Sequence, residues 1–312
     1  ELTNSGYGFS GTAQGYPFPI PKNGTEVMWN HIMRYNTKGF KGYGVTIPTQ
    51  SDGSWVPERS YLELTYIYNN PKTTIADLNN QNLYLMVKTL SPPNKAGTAD
   101  LVRVPIDRIT EPTGVWEFNP ALQRVRRIGE VGYDNPLFDG LMTHDQLDMF
   151  NGPLDRYTIK LVGKKEVLMP YNSYKLYDPK LKYKDILKPF HVNPDYARFE
   201  LHRVWVVEAT LKAGLRHNFA KRVFYVDEDS WSIAVVDDYD IRGQIWKVQE
   251  AHLLSLPFIP TTTGIPELIY DLQSNRYFAT TLTNEDPVSD FEVTYDDKYF
   301  ESSNLKRKAK NK

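Results

Sequence analysis

FELHRVWVVEATLKAGLRHNFAKRVFYVDEDSWSIAVVDDYDIRGQIWKVQEAH, residues 199–252, decides the fold. Phe199–Leu211 is rich in β-branched and aromatic residues, and Asn218–Val226 alternates. Asp227-Glu228-Asp229-Ser230 is a turn signal leading into Trp231–Tyr239, and Asp240-Ile241-Arg242-Gly243 opens a last strand. Strand-like runs separated only by short polar turns read as an antiparallel meander, which must bury one face. Strict alternation places Arg203, Trp205, Val207 and Ala209 on one face of the first strand, Trp231, Ile233 and Val235 on another strand, and Trp246 and Val248 on the last. Together they make an apolar wall. It is either a core filled by packed helices or the lining of a cavity for an apolar ligand. On the second reading the ligand-binding residues are Trp205, Val207, Trp231, Ile233, Val235, Trp246 and Val248.

Outward from this meander, residues 1–22 are rich in Gly, Tyr and Pro and suit an extended arm lying across another element. Val27, Met28, His31, Ile32 and Tyr35 are spaced for one short amphipathic helix. Tyr61–Asn69 and Leu83–Leu90 read as strands. Val115–Phe118 and Gln123–Ile128 flank an Asn119-Pro120 turn as a hairpin, and Arg156–Val162 and Lys165–Met169 read as a strand pair broken at Gly163. Thr143-His144-Asp145-Gln146 has a capping-type helix start. Pro266–Leu272 reads as a short helix and Arg276–Leu282 as a late strand. Lys306–Lys312 carries five basic residues in seven and reads as a frayed, solvated tail, with contact to an anionic membrane surface as the alternative. The expected organisation is an arm at 1–22, one domain at 23–300 and a basic flexible tail at 301–312.

Composition narrows the classes. A net charge of −1, from 37 basic and 38 acidic residues, gives no electrostatic footprint for nucleic acid. Aromatic residues make up 13% of the 312-residue chain and 21 prolines punctuate it, favouring short strands and turns. With no cysteine there is no disulfide, thiolate metal site or cysteine nucleophile. No run of eighteen apolar residues occurs, so no helical bilayer span is expected. The first residue is Glu1, which suggests a processed product whose signal peptide has been removed.

Catalytic motifs are sparse. Gly6-Tyr7-Gly8-Phe9-Ser10-Gly11 matches G-x-G-x-x-G but lacks the strand and helix a dinucleotide site requires. The zinc-protease, nucleophile-elbow and P-loop signatures are absent. His202 and His217 could face each other across a strand pair, which as a metal site would need further ligands and as an ester hydrolase would need a nucleophile. The Asp227–Asp229 and Asp237, Asp238, Asp240 groups fall at expected turns, where Asp is favoured by local hydrogen bonds. No catalytic residue, metal or cofactor is assigned.

Further segments carry a resemblance. Asn151-Gly152-Pro153-Leu154-Asp155 through Leu161–Glu166, Pro170–Leu176, Tyr196–Thr210 (YARFELHRVWVVEAT), Ala220–Trp231 (AKRVFYVDEDSW) and Tyr239–Trp246 (YDIRGQIW) resemble a bacterial family of unknown function whose members are called outer-membrane lipoprotein-sorting proteins. That family resembles the LolA/LolB-type lipoprotein carriers. The resemblance implies a mainly β fold with short helices, an incomplete antiparallel β-barrel wrapped around them, and a hydrophobic concave face. It further implies a periplasmic location, lipid or another hydrophobic small molecule as ligand, and an inner-membrane exporter and outer-membrane protein as partners. The function expected is a non-enzymatic carrier or chaperone; the alternative is an adaptor subunit of an envelope transport complex, docking through the arm and strand edges.

Overall fold

Alternating apolar residues build thirteen principal strands in the computed structural model, which describes residues 1–3, 7–129, 132–296 and 298–310. In chain order they are β1 Gly39–Pro48, β2 Glu58–Tyr66, β3 Gln81–Ser91, β4 Ala99–Pro105, β5 Gly114–Asn119, β6 Arg124–Ile128, β7 Tyr157–Pro170, β8 Phe199–Leu211, β9 Lys221–Asp227, β10 Ile233–Tyr239, β11 Ile245–Leu256, β12 Thr261–Asp271 and β13 Arg276–Leu282. They form one antiparallel sheet in the order β6-β5-β4-β3-β2-β1-β13-β12-β11-β10-β9-β8-β7. Each strand pairs with its sequence neighbour except at two places. β6 and β7 are the sheet's edges, and β1 and β13 meet at a seam.

The sheet curls. Tyr171, just past β7, bridges to Leu253 in β11, and the Asn172 N–H donates to the Leu253 carbonyl at 2.7 Å. A strand can reach another four places away only if the intervening sheet bends into part of a barrel. Helix α1, Gly24–Ile32, packs on β7 and β8. Its N-cap Asn23 accepts from the Glu26 N–H at 3.0 Å. Gly24 is required by the close approach, since a Cβ there would sit 2.9 Å from the Lys160 carbonyl carbon. The arm lies over this helix: Phe9 meets Trp29 edge-on at 5.1 Å, and Asn30 bonds both backbone groups of Phe18. Gly6 of the glycine motif lies outside the described residues, while Phe9 bridges back to Leu2.

Three sequence expectations are corrected. Pro266–Leu272 lies almost entirely in strand β12, whose central place between β11 and β13 overrides its helical spacing. Arg156–Val162 and Lys165–Met169 are not a pair but one strand, β7, with a bulge at Val162 where Val206 faces Gly163 and Val207 faces Leu161. The basic tail is not free: Ser302–Lys310 forms helix α2, with Leu305 and Ala309 buried beside Phe300 against Met86, Leu101 and Phe118. Asn311 and Lys312 lie outside the described residues. At Thr143 the capping start persists, with the Thr143 N–H donating to Gln146 Oε1 at 2.9 Å, but it opens only the 3-10 turn His144–Gln146.

Candidate functional site

The expected wall is divided by two bulges. Trp205 lies opposite Val226 and Val226 opposite Ile233, while Val207 lies opposite Phe224, so these share one face. Trp231 stacks on Trp205, with centroids 6.0 Å apart and planes 15° apart. Ala234 is an extra residue in β10, so Val235 faces Tyr225 and falls on the side opposite Ile233. Trp246 is the extra residue of β11, where Tyr239 pairs with Ile245 and Asp238 with Lys247. It donates to Asp271 Oδ1 at 3.2 Å and packs on Phe219, and Val248 lies opposite Asp237. Val207, Trp231 and Ile233 join one buried cluster with Val27, Met28 and Trp29 of α1, with Trp205 and, from the other side, Val235 packed against it; Trp246 and Val248 do not. Helix α1 therefore packs against the part of the wall that the structure brings together.

Beside that cluster runs a buried polar row. Arg222, opposite Asp238, which is in turn opposite Lys247, bonds Asp238 and Asp145 at 2.7 Å each. Gln146 and Gln249 add bonds to Asp238, and Lys247 donates to the Gly140 and Leu141 carbonyls. His217 pairs with Asp145 and His202 with Asp227, so the two histidines do not meet. The row fastens segment 140–146 to the sheet and is enclosed.

A half-buried apolar surface outside the buried clusters of the described residues lies on β1–β6 instead, with Phe40 at its β1 end meeting Phe291 at 5.2 Å. Phe40 faces Leu64, Leu64 faces Leu85, Leu85 faces Val102, Val102 faces Val115 and Val115 faces Ile128. Opposed residues share a face, so these six form a single file spanning about 24 Å at the usual strand spacing. A parallel file on the same face runs Leu62, Val87, Asp100, Glu117, Arg126. All but Arg126 are half-buried. Among the described residues, Leu62, Leu64, Leu85, Val87, Val102, Val115 and Ile128 are neither part of nor packed against any buried cluster. The reverse face, by contrast, is covered by Phe300 and α2.

Polar groups frame this floor. Tyr66, opposite Leu83 on the same face, accepts from Asn36 Nδ2 at 3.2 Å and feels the charges of Arg34, Asp148 and Glu267. Arg34 pairs with Asp148, while burial and the neighbouring Asp148 push the Glu267 carboxyl up to about 8. In the second file, burial and the neighbouring Glu117 push Asp100 up to about 6. The sequence signal for the floor is the alternation Leu62/Leu64, Leu83/Leu85/Val87 and Val102/Val104, which marks a face without showing what lies on it.

An open, curled antiparallel sheet holding one short helix and presenting an apolar face defines the LolA-like class of folds. Similar solved structures are an outer membrane lipoprotein-sorting protein domain from Vibrio parahaemolyticus (TM-score 0.60, 13% identity, 90% of this chain and 97% of that one) and a LolA superfamily protein from Nitrosomonas europaea (0.54, 12%, 91% and 100%). The chain belongs to the family described as protein of unknown function DUF1329, which matches residues 1–306. A member of that family from Desulfovibrio piger has the same fold (TM-score 0.58, 15% identity, 86% of this chain and 92% of that one). An uncharacterized protein of Pseudomonas aeruginosa is 42% identical over 293 residues, covering 92% of this chain, which in turn spans 63% of that relative's length. Among the described residues no helix is long and apolar enough to cross a membrane.

Proposed function

We propose that the chain is a periplasmic carrier that holds a lipid or another extended hydrophobic ligand on the β1–β6 floor for envelope transport, without covalent chemistry. The observation that carries this reading is the apolar file Leu64-Leu85-Val102-Val115-Ile128, which among the described residues belongs to no buried cluster. Soluble proteins rarely leave so continuous an apolar face without a partner for it. Burial against it supplies affinity at about 0.8 kcal/mol per methylene removed from water. Similarity to LolA superfamily and lipoprotein-sorting structures supports an apolar ligand and a periplasmic setting. In this reading Trp205, Val207, Trp231 and Ile233 seat helix α1, and the ligand takes the floor beyond it.

The adaptor reading keeps one observation. Leu168 and Leu201 lie opposite each other on the edge pair β7–β8 and are 66% and 64% exposed, a patch an exporter or outer-membrane partner could cover. Native mass spectrometry of protein purified without detergent from its own envelope, followed by solvent extraction, separates the two. A stoichiometric lipid or hydrophobic metabolite supports the carrier. An empty protein arriving with a partner subunit supports the adaptor.

A further inference from the structure

A cavity of about 350 Å³ opens at the C-terminal end of α1, apart from the floor. Its walls come from five places: Tyr16 of the arm, Tyr35 beyond α1, Tyr171 beyond β7, and the turns 229–230 and 255–262. Among the described residues no Lys, Arg or His lines it, whereas Asp229 does. Three of the lining hydroxyls are engaged by the protein itself. Ser230 Oγ donates to Asp227 Oδ2 at 2.6 Å, Thr261 Oγ1 donates to the Tyr35 carbonyl at 2.9 Å, and Tyr171 OH points to Asp227 at 3.5 Å. Asp229 is exposed and, among the described residues, makes no ion pair; Arg203, which feels its charge, is taken by Glu228.

We propose that this cavity binds a small organic cation of the quaternary-ammonium or protonated-amine class, between the tyrosine rings and the Asp229 carboxylate. Aromatic faces attract such cations, and a carboxylate outside any ion pair of the described residues favours them over anions and neutral solutes. Tyr16 packs on Trp231 at 5.9 Å, and Trp231 stacks on Trp205, so a ligand seated against Tyr16 lies close to an optical reporter. The inference does not depend on the carrier reading. A bare metal ion is the competing occupant, because His202, Asp227 and Asp229 place ligand atoms within 4.8 Å of one another. A metal would draw His202 and Asp227 in as ligands, whereas an organic cation leaves their 3.1 Å hydrogen bond as it stands.

The test titrates tetramethylammonium and choline into the full chain, followed by calorimetry and tryptophan fluorescence, with the neutral carbon isostere of choline, calcium and zinc as comparators. One saturable site is expected for both ammonium ions, and the neutral isostere should bind about tenfold more weakly or worse. Asp229→Asn should weaken the ammonium ions by about tenfold with an unchanged melting temperature, as its carboxylate is exposed. Tyr16→Leu should weaken them as well. Three results would overturn the proposal: no saturable signal from either ammonium ion, equal affinity for the neutral isostere, or calcium or zinc binding that displaces the ammonium ions and is lost in His202→Ala.

Discussion

Leu85 sits mid-floor between Leu64 and Val102 and is half-buried, whereas Leu101 in the adjacent strand is fully buried against Met86, Phe118 and Phe300. The two leucines separate the proposed binding surface from a core. Leu101→Ala opens a cavity and should cost about 2–5 kcal/mol. Leu85→Ala forfeits only part of the roughly 1.5–3 kcal/mol that full burial of a leucine contributes, so about 1 kcal/mol is expected. Retention of the ligand should reverse the order. An apolar chain lying across Leu85→Asp would bury a charge without a partner, costing several kcal/mol, so affinity should fall by more than about a hundredfold. Urea unfolding followed by tryptophan fluorescence measures the first quantity, and uptake of a fluorescent long-chain fatty acid the second. If Leu85→Ala proves as destabilising as Leu101→Ala, or if Leu85→Asp still takes up the probe, the floor is ordinary core and the reasoning fails.

Asp100 has a folded pKa above its unfolded value, so its protonated form stabilises the fold; that contribution is full below pH about 4 and is lost as pH rises through about 6. Asp100→Asn should accordingly raise stability by about 1–2 kcal/mol at neutral pH and leave it unchanged in acid, as read from urea midpoints. His31 behaves oppositely: burial and then Arg34 hold it down to about 3, with Nδ1 accepting from the Ile233 N–H at 3.2 Å and Nε2 facing the Asp148 carbonyl at 3.1 Å. The stability it contributes is present above pH about 6.5 and declines as pH falls toward 3, by about 1–2 kcal/mol between pH 7 and 5, a slope that His31→Gln should flatten. Arg222→Met strands two buried carboxylates, Asp145 and Asp238, and should cost about 3–5 kcal/mol in thermal or urea unfolding. Leu305→Asp should detach α2 from β4–β6, detected as protease cleavage near residue 300 that the native chain resists.

The meander was legible because turn residues and period-2 alternation are local signals, and β8 to β11 fall where the 199–252 stretch places them. Its facing residues were less so. One extra residue at Ala234 and another at Trp246 shift the parity of all that follows, and no residue type announces a bulge. Strand β12 carries Pro266, Glu267 and an apolar spacing that suit a helix, yet pairing on both sides decides it. In the tail, Leu305 and Ala309 stand four apart within a basic run, a signal of one helical face that the surrounding charge masks. The floor was hidden for a different reason. Leu64, Leu85 and Val102 are the residue types a filled core would use, and alternation specifies a face without specifying its cover. Cover is assigned by where distant segments land: α1 and the arm on β7 and β8, α2 on the reverse of β4–β6. A face of this kind therefore emerges only when every covering segment has been placed.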